Sequence, residues 1–163
     1  MRKLPDSVML ARVADAVDVT PELAGLSLFA DLTPAQLEKV GQAFEEQTYE
    51  VGERAQRQGF IGSGFHVILD GEAEWRVDGQ VVDRMATTML NTKQLTLRRG
   101  DYFGELTILF DEPSIADVIP LVPMRCIVLP TQEFEPFLMS YPRVMFRLLQ
   151  GEARRLRDPL RWR

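Results

Sequence analysis

The stretch GDYFGELTILFDEPSIADV, Gly100 to Val118, decides how this chain is read. Its first half suits an anion held by bare backbone. Gly100-Asp101 is a turn signal, and Gly104 permits a close backbone approach or a conformation that other residues avoid. If Glu105, Leu106 and Thr107 open a helical turn, their N–H groups are unpaired and point outward. Glu105 is an odd neighbour for a phosphate, because like charges repel; a hydroxyl donor suits it better. The second half, from Ile108 onward, contains no Lys or Arg. On its own a G-x-x-x-G-E pattern is equally well a capped turn, so its surroundings carry the decision.

Outward from that stretch, residues 46–129 alternate short β-rich runs with glycines: QTYEV, FHVIL, EAEWRV, QVVDR, QLTLR, IADVIPL and CIVL. Within EWRV-DG-QVVD, Asp78-Gly79 supplies the positive φ angles of a two-residue hairpin turn. Seven or eight short strands with turns every 8–12 residues predict a sandwich, barrel or roll. MATTMLNTK, near 85–93, reads as a loop or an excursion from a strand.

Helical patterns flank this region. Residues 5–24 carry Leu10, Val13, Ala14 and Val17 at helical spacing, and Thr20-Pro21 restarts a short turn that Gly25 can close. Thr33, Pro34 and Gln36 form a capping-box start, with Leu32 and Leu37 placed as a hydrophobic staple. Leu37, Val40 and Phe44 share one face. TQEFEPFLMSY predicts a short helix made irregular by Pro136. Pro142 starts another, with Met145, Leu148, Leu149 and Leu156 as its apolar stripe and Asp158-Pro159 as its stop.

The composition is that of an ordinary globular chain: 163 residues, 45% hydrophobic, 26% charged, net charge -5. An acidic chain argues against a nucleic-acid binder, although Arg154 to Arg163 holds five arginines. Those read as a solvated helix end that complements the helix dipole. One cysteine, Cys126, excludes an intrachain disulfide and reads as a buried, inert thiol. With one Cys and one His there is no zinc or iron–sulfur spacing, and no metal is expected. No apolar run is long enough to span a bilayer, so a soluble cytoplasmic protein is expected. His66 reads as a strand histidine at a surface or edge, and Trp75 as a residue on a strand face.

A wider pattern joins these pieces: Leu28-Phe29-Ala30-x-Leu32, Gln58-Gly59-x-x-Gly62, Phe65-x-x-Ile68-x-x-Gly71, then Gly100-Asp101-x-Phe103-Gly104-Glu105-Leu106. From about Leu26 to Arg157 the chain resembles the cyclic-nucleotide-binding domain family. The resemblance implies a mainly β fold with flanking helices: an eight-stranded, jelly-roll-like β-roll between N-terminal and C-terminal helices. It implies an N-terminal helical segment at 1–25, the domain at 26–157 and a tail at 158–163. It also implies a binding cassette made of Phe103, Gly104, Glu105, Leu106, Thr107, Ser114, Ile115 and Asp117. Glu105 matches the carboxylate that binds the ribose 2′-hydroxyl, and Gly104, Leu106 and Thr107 match the backbone donors. Ser114 stands where the family has the arginine that pairs with the cyclic phosphate. Asp117 stands where a small hydroxyl residue usually faces it.

Removing the partner of a desolvated charge costs roughly 2–5 kcal/mol, or about 30- to 4000-fold in affinity. An arginine on a neighbouring strand, Arg125 above all and otherwise Arg98 or Arg99, would be the compensating cation. The resemblance therefore implies a non-catalytic signalling or interaction module with weakened or lost cAMP and cGMP binding. The alternative is a working cAMP or cGMP sensor that signals through its C-terminal helix. No other cofactor is expected. A protein partner or homodimer contact through that helix is expected; nucleic acid and membrane are not. Activators of the family follow the long helix with a helix-turn-helix, and about six residues beyond Arg157 leave no room for one here. No catalytic constellation emerges.

Overall fold

The computed structural model describes residues 19–78, 80–81 and 96–157. The helix expected before Val19, the 85–93 excursion and the 158–163 tail lie outside the described residues.

Helix α1, Thr20–Ala24, leads through a 3₁₀ turn at Ser27–Phe29 to α2, Pro34–Ala43. The start of α2 is the expected capping box: Thr33 Oγ1 accepts from the Gln36 N–H at 3.2 Å, and Gln36 Oε1 accepts from the Thr33 N–H at 2.9 Å. The strands follow: β1 Glu45–Tyr49, β2 Phe65–Asp70, β3 Glu72–Val77, β4 Gln80–Val81, β5 Thr96–Arg98 and β6 Tyr102–Phe103. Then come the short helix α3, Glu105–Phe110, and strands β7, Asp117–Pro120, and β8, Met124–Leu129. Helices α4, Thr131–Ser140, and α5, Pro142–Arg157, close the described chain. The architecture is the mainly β roll with flanking helices that the resemblance implies.

Two antiparallel sheets face each other. One runs β1-β8-β2-β6; in the other β3 is central, paired with β4, β5 and β7. The hairpin register is Arg76↔Val81 and Val77↔Gln80, with Asp78 at φ 52° in its turn, as the Asp-Gly signal predicts. Strand β2 shows why FHVIL is a continuous apolar run: it is covered on both faces. Phe65, Val67 and Leu69 point to the helices and share a core with Phe29, Phe44, Phe134 and Leu148. Ile68 points the other way, into an inter-sheet core with Ala73, Phe103, Val118, Met124 and Cys126.

That double burial corrects the placement of His66, which is 1% exposed rather than at a surface. It stacks on Phe103 with ring centroids 4.5 Å apart. Its Nδ1 lies 3.2 Å from Gly64 O and its Nε2 lies 2.8 Å from the Tyr49 hydroxyl. Burial pushes its pKa down to about 4, against the opposing pull of the Gly64 carbonyl. Cys126 is fully buried as expected, and burial raises its thiol pKa to about 12.

The expected stripe on α5 is also corrected. Val144 and Leu148, one helical repeat apart, pack into the core. Met145 and Leu149 stand largely in solvent, at 39% and 63% exposed, and the Leu156 side chain lies outside the described residues. The inward face is set by Tyr102, which reaches up from β6 to donate its hydroxyl to Leu148 O at 3.1 Å. Gly151 makes room for it, since a Cβ there would lie 1.9 Å from the Tyr102 hydroxyl. Among the described residues no helix is long and apolar enough to cross a membrane.

Candidate functional site

Strand β6 delivers the chain into the decisive stretch. Phe103 is paired with His66 across the sheet, so its ring enters the inter-sheet core and does not line the site. This differs from the expectation that Phe103 belongs to the binding cassette; strand alternation turns it inward. Gly104 then breaks the strand at φ 90° and caps α3. A Cβ at Gly104 would lie 2.1 Å from Gly64 O, so only glycine fits both the φ and the space. Thr107 Oγ1 donates back to Gly104 O at 2.7 Å and ties the turn closed.

Beside this turn is a cavity of about 200 Å³. Gly104, Glu105, Leu106 and Thr107 form one side, Ser114 and Ile115 another, with Gln56, Trp75, Phe110, Glu112 and Pro113 completing the wall. Of the expected site residues, Gly104, Glu105, Leu106, Thr107, Ser114 and Ile115 are thus brought together. Ile115 sits at the rim, 70% exposed. Among the described residues neither Lys nor Arg lines this cavity, whereas two carboxylates do.

Asp117 is elsewhere. Its Oδ1 accepts from the Gln58 N–H at 2.8 Å and its Oδ2 lies 3.3 Å from Arg54 Nε, so its charge is already matched outside the cavity wall. Arg125, the expected compensating cation, is also elsewhere. On β8 it faces away and pairs with Glu22 at 3.0 Å and Glu46 at 2.8 Å. Those two acids hold its pKa well above the usual arginine value. Arg98 lies 3.4 Å from Glu72, and Arg99 donates to Leu69 O and Glu22 O. None of these three arginines lines the cavity.

The Ser114 hydroxyl is turned inward. It lies 2.6 Å from Ala116 O and 3.2 Å from the Ala116 nitrogen, and the Gln56 amide also meets it. Ser114 therefore has no proton left for an anion.

Glu105 is 0% exposed and has a partner that the linear pattern concealed. Arg155, from α5, donates Nη1 to Glu105 Oε1 at 2.6 Å and Nη2 to Tyr102 O at 2.6 Å. Its guanidinium also lies over the Tyr102 ring, 4.4 Å from the centroid. Burial pushes the Glu105 carboxyl pKa up, the Arg155 charge pulls it back, and the nearby Glu152 carboxylate adds to the rise. Sequence reading placed Arg155 in a solvated cationic tail and passed over Gln56 and Tyr102. The available signal was Glu105 itself: a carboxylate in an apolar run requires a partner once it is buried.

Two facing sheets, a glycine-broken turn, a buried carboxylate and a small cavity define a ligand-pocket β-roll. A family model for the cyclic nucleotide-binding domain matches residues 46–141, and the chain belongs to that family. It is 27% identical over 131 residues to a cGMP-dependent protein kinase of Eimeria tenella, covering 80% of this chain and 12% of that protein. It is 29% identical over 128 residues to a cAMP-dependent protein kinase regulatory subunit of Blastocladiella emersonii, covering 78% of this chain and 30% of that protein. The chain thus matches less than a third of the length of either relative. Among solved structures, the regulatory subunit of a cAMP-independent protein kinase A from Trypanosoma brucei shares the fold. The TM-score is 0.69 at 18% identity, over 89% of this chain and 48% of that one.

Proposed function

We propose that this chain is a non-catalytic regulatory module whose cavity binds cAMP or cGMP weakly or not at all. It acts by docking a protein partner, or a second copy of itself, through its C-terminal helices. The observation that carries the reading is the chemistry at Ser114. The residue in the arginine position is neutral, its hydroxyl is already used, and no other cation among the described residues lines the cavity. A cyclic phosphate entering there would leave water and meet only backbone N–H groups and two carboxylates. The missing charge-assisted bonds amount to roughly 2–5 kcal/mol, enough to turn a micromolar site into a millimolar one.

Neighbours of the same fold support this reading. The Trypanosoma brucei regulatory subunit belongs to a cAMP-independent kinase, and its Trypanosoma cruzi counterpart is bound to guanosine. A triple mutant of the brucei protein, in which one change replaces a threonine by arginine, is bound to cAMP. For the docking surface, Met145, Phe146 and Leu149 place apolar side chains in solvent on α5.

The second reading is a working cyclic-nucleotide sensor, favoured by one contact. The Arg155–Glu105 pair joins the cavity wall directly to α5, so a ligand that engages Glu105 differently would shift that helix.

Calorimetric titration with cAMP and cGMP, with 5′-AMP as control, separates the two. The expected result is no binding tighter than about millimolar by the unaltered chain, and a gain of roughly 30- to 4000-fold for cAMP in Ser114→Arg. Binding by the unaltered chain at or below about 10 µM, a free energy of roughly -7 kcal/mol, would establish the sensor reading instead.

A further inference from the structure

Counting the side-chain hydroxyl and amide protons of the cavity wall leaves acceptors over. A serine hydroxyl has one proton, and a carbonyl oxygen can only accept. The Ser114 proton therefore goes to Ala116 O, 2.6 Å away. Toward the Ala116 N–H and toward Gln56, Ser114 Oγ is then an acceptor. Gln56 must present its NH₂ group to Ser114, which fixes the orientation of the amide. Its Oε1 is left over: buried, on a residue of the cavity wall, with no partner among the described residues.

Glu105 is in the same condition. Arg155 takes Oε1, while Oε2 is buried without a partner among the described residues. Gln56 is 6% exposed and Glu105 0%. The other hydroxyl of the wall, on Thr107, already donates to Gly104 O. Both side-chain hydroxyls in the wall are thus used as donors, and two buried acceptors remain. Folded proteins rarely leave such groups unpaired. Leu106, Phe110 and Pro113 supply apolar surface, and Trp75 an aromatic ring with one N–H donor. Such a wall matches a ligand that brings its own O–H and N–H donors on a flat, weakly polar body.

We infer that the cavity takes an uncharged ligand of the nucleoside class, with Glu105 accepting from sugar hydroxyls and Gln56 accepting from a base N–H. Ser114 is a positioning residue: it holds the Gln56 amide with its carbonyl free. In place of a phosphate clamp, the Ser114 end of the site then reads the ligand's donors. This rests on the reading that the cavity no longer grips a cyclic phosphate.

The test is calorimetry on the full chain with adenosine, guanosine, cAMP, cGMP and D-ribose. At least one nucleoside is expected to bind tenfold or more tighter than its cyclic nucleotide and than ribose. Gln56→Met, which keeps the volume and removes the acceptor, lowers that affinity roughly tenfold, and Glu105→Gln lowers it by about 10- to 100-fold. Ser114→Ala acts through Gln56, so the Gln56→Met/Ser114→Ala pair loses no more affinity than Gln56→Met alone.

If neither nucleosides nor cyclic nucleotides bind at millimolar concentration, the nucleoside inference is overturned and the weak-phosphate reading stands. If a cyclic nucleotide binds at micromolar concentration and more tightly than its nucleoside, both are overturned. Nucleoside binding that Gln56→Met leaves unchanged overturns the role given to Gln56 and Ser114. The unaltered chain alone decides the ligand class, whatever the variants do to folding.

Discussion

The two ends of the Gly104–Asp117 segment are built from different materials. At the Gly104 end the geometry is made by backbone: a positive φ, a carbonyl in contact, and a turn closed by Thr107. At the Ser114 end it depends on side chains: Ser114 Oγ meets the Gln56 amide and the Ala116 backbone, and separately Asp117 pairs with Arg54. A backbone grip survives most substitutions because it depends on few side chains. A side-chain grip changes its chemistry with a single residue. A turn made of backbone can therefore persist whatever the charge of the side chains around it, and here it stands beside a cavity with no Lys or Arg among its described lining residues.

The largest expected effect strikes the backbone end. Gly104→Ala places a Cβ against Gly64 O at a φ that alanine avoids, and neither backbone can yield cheaply. Urea denaturation should show a loss of roughly 3 kcal/mol or more. A loss under about 1 kcal/mol would mean that the turn is not held by backbone contact.

Next is the link from this end to the C-terminal helix. Arg155→Ala leaves Glu105 buried without its countercharge. Breaking a buried pair costs roughly 3–5 kcal/mol, and the partial exposure of Arg155 reduces the expected cost to about 2. The folded state of the variant holds the Glu105 proton more firmly than the unfolded state, so its stability should fall as pH rises. If the denaturation midpoint of the variant falls no further above about pH 8 than that of the unaltered chain, Arg155 does not have this role.

A third effect tests the support beneath the turn. His66 is neutral in the fold with a pKa of about 4, while the unfolded chain titrates near the ordinary value of about 6.5. Between these values the unfolded state binds more protons, so stability is complete above about pH 6.5 and declines as pH falls toward 4. By pH 5 the loss should be about 2 kcal/mol. His66→Phe, which keeps the ring against Phe103, should flatten that dependence; an unchanged pH profile would show that His66 is not its source.

The smallest effect belongs to the side-chain end. Ser114→Ala leaves the Ala116 N–H and the Gln56 amide without their acceptor, at a cost of about 1–2 kcal/mol. A stabilising or neutral result would mean that the network is looser than the distances indicate, and the contrast between the two ends would weaken.

Most of the scaffold was legible in the sequence because it depends on local chemistry. The capping box at Thr33, the Asp78 turn and the helices after Thr131 follow from spacing, propensity and residue shape, whereas the burial of both faces of FHVIL, and with it His66, did not. The turn at Gly104 and Glu105 was legible for the same reason: they are neighbours, and their order in the chain is their order in space. The absence of a cation between Ile108 and Val118 was plain as well.

What the sequence could not assign is which distant side chain answers which. Arg125 and Arg155 look alike as residue types, yet one pairs at the surface with Glu22 and Glu46 while the other reaches Glu105 from 50 residues away. Gln56 meets Ser114 across 58 residues. Strand alternation, one helix face opened by Gly151 and the stacking of two sheets settle these pairings. Charge and hydrogen bonding act over a few ångströms of space, and only the tertiary fold brings such residues that close.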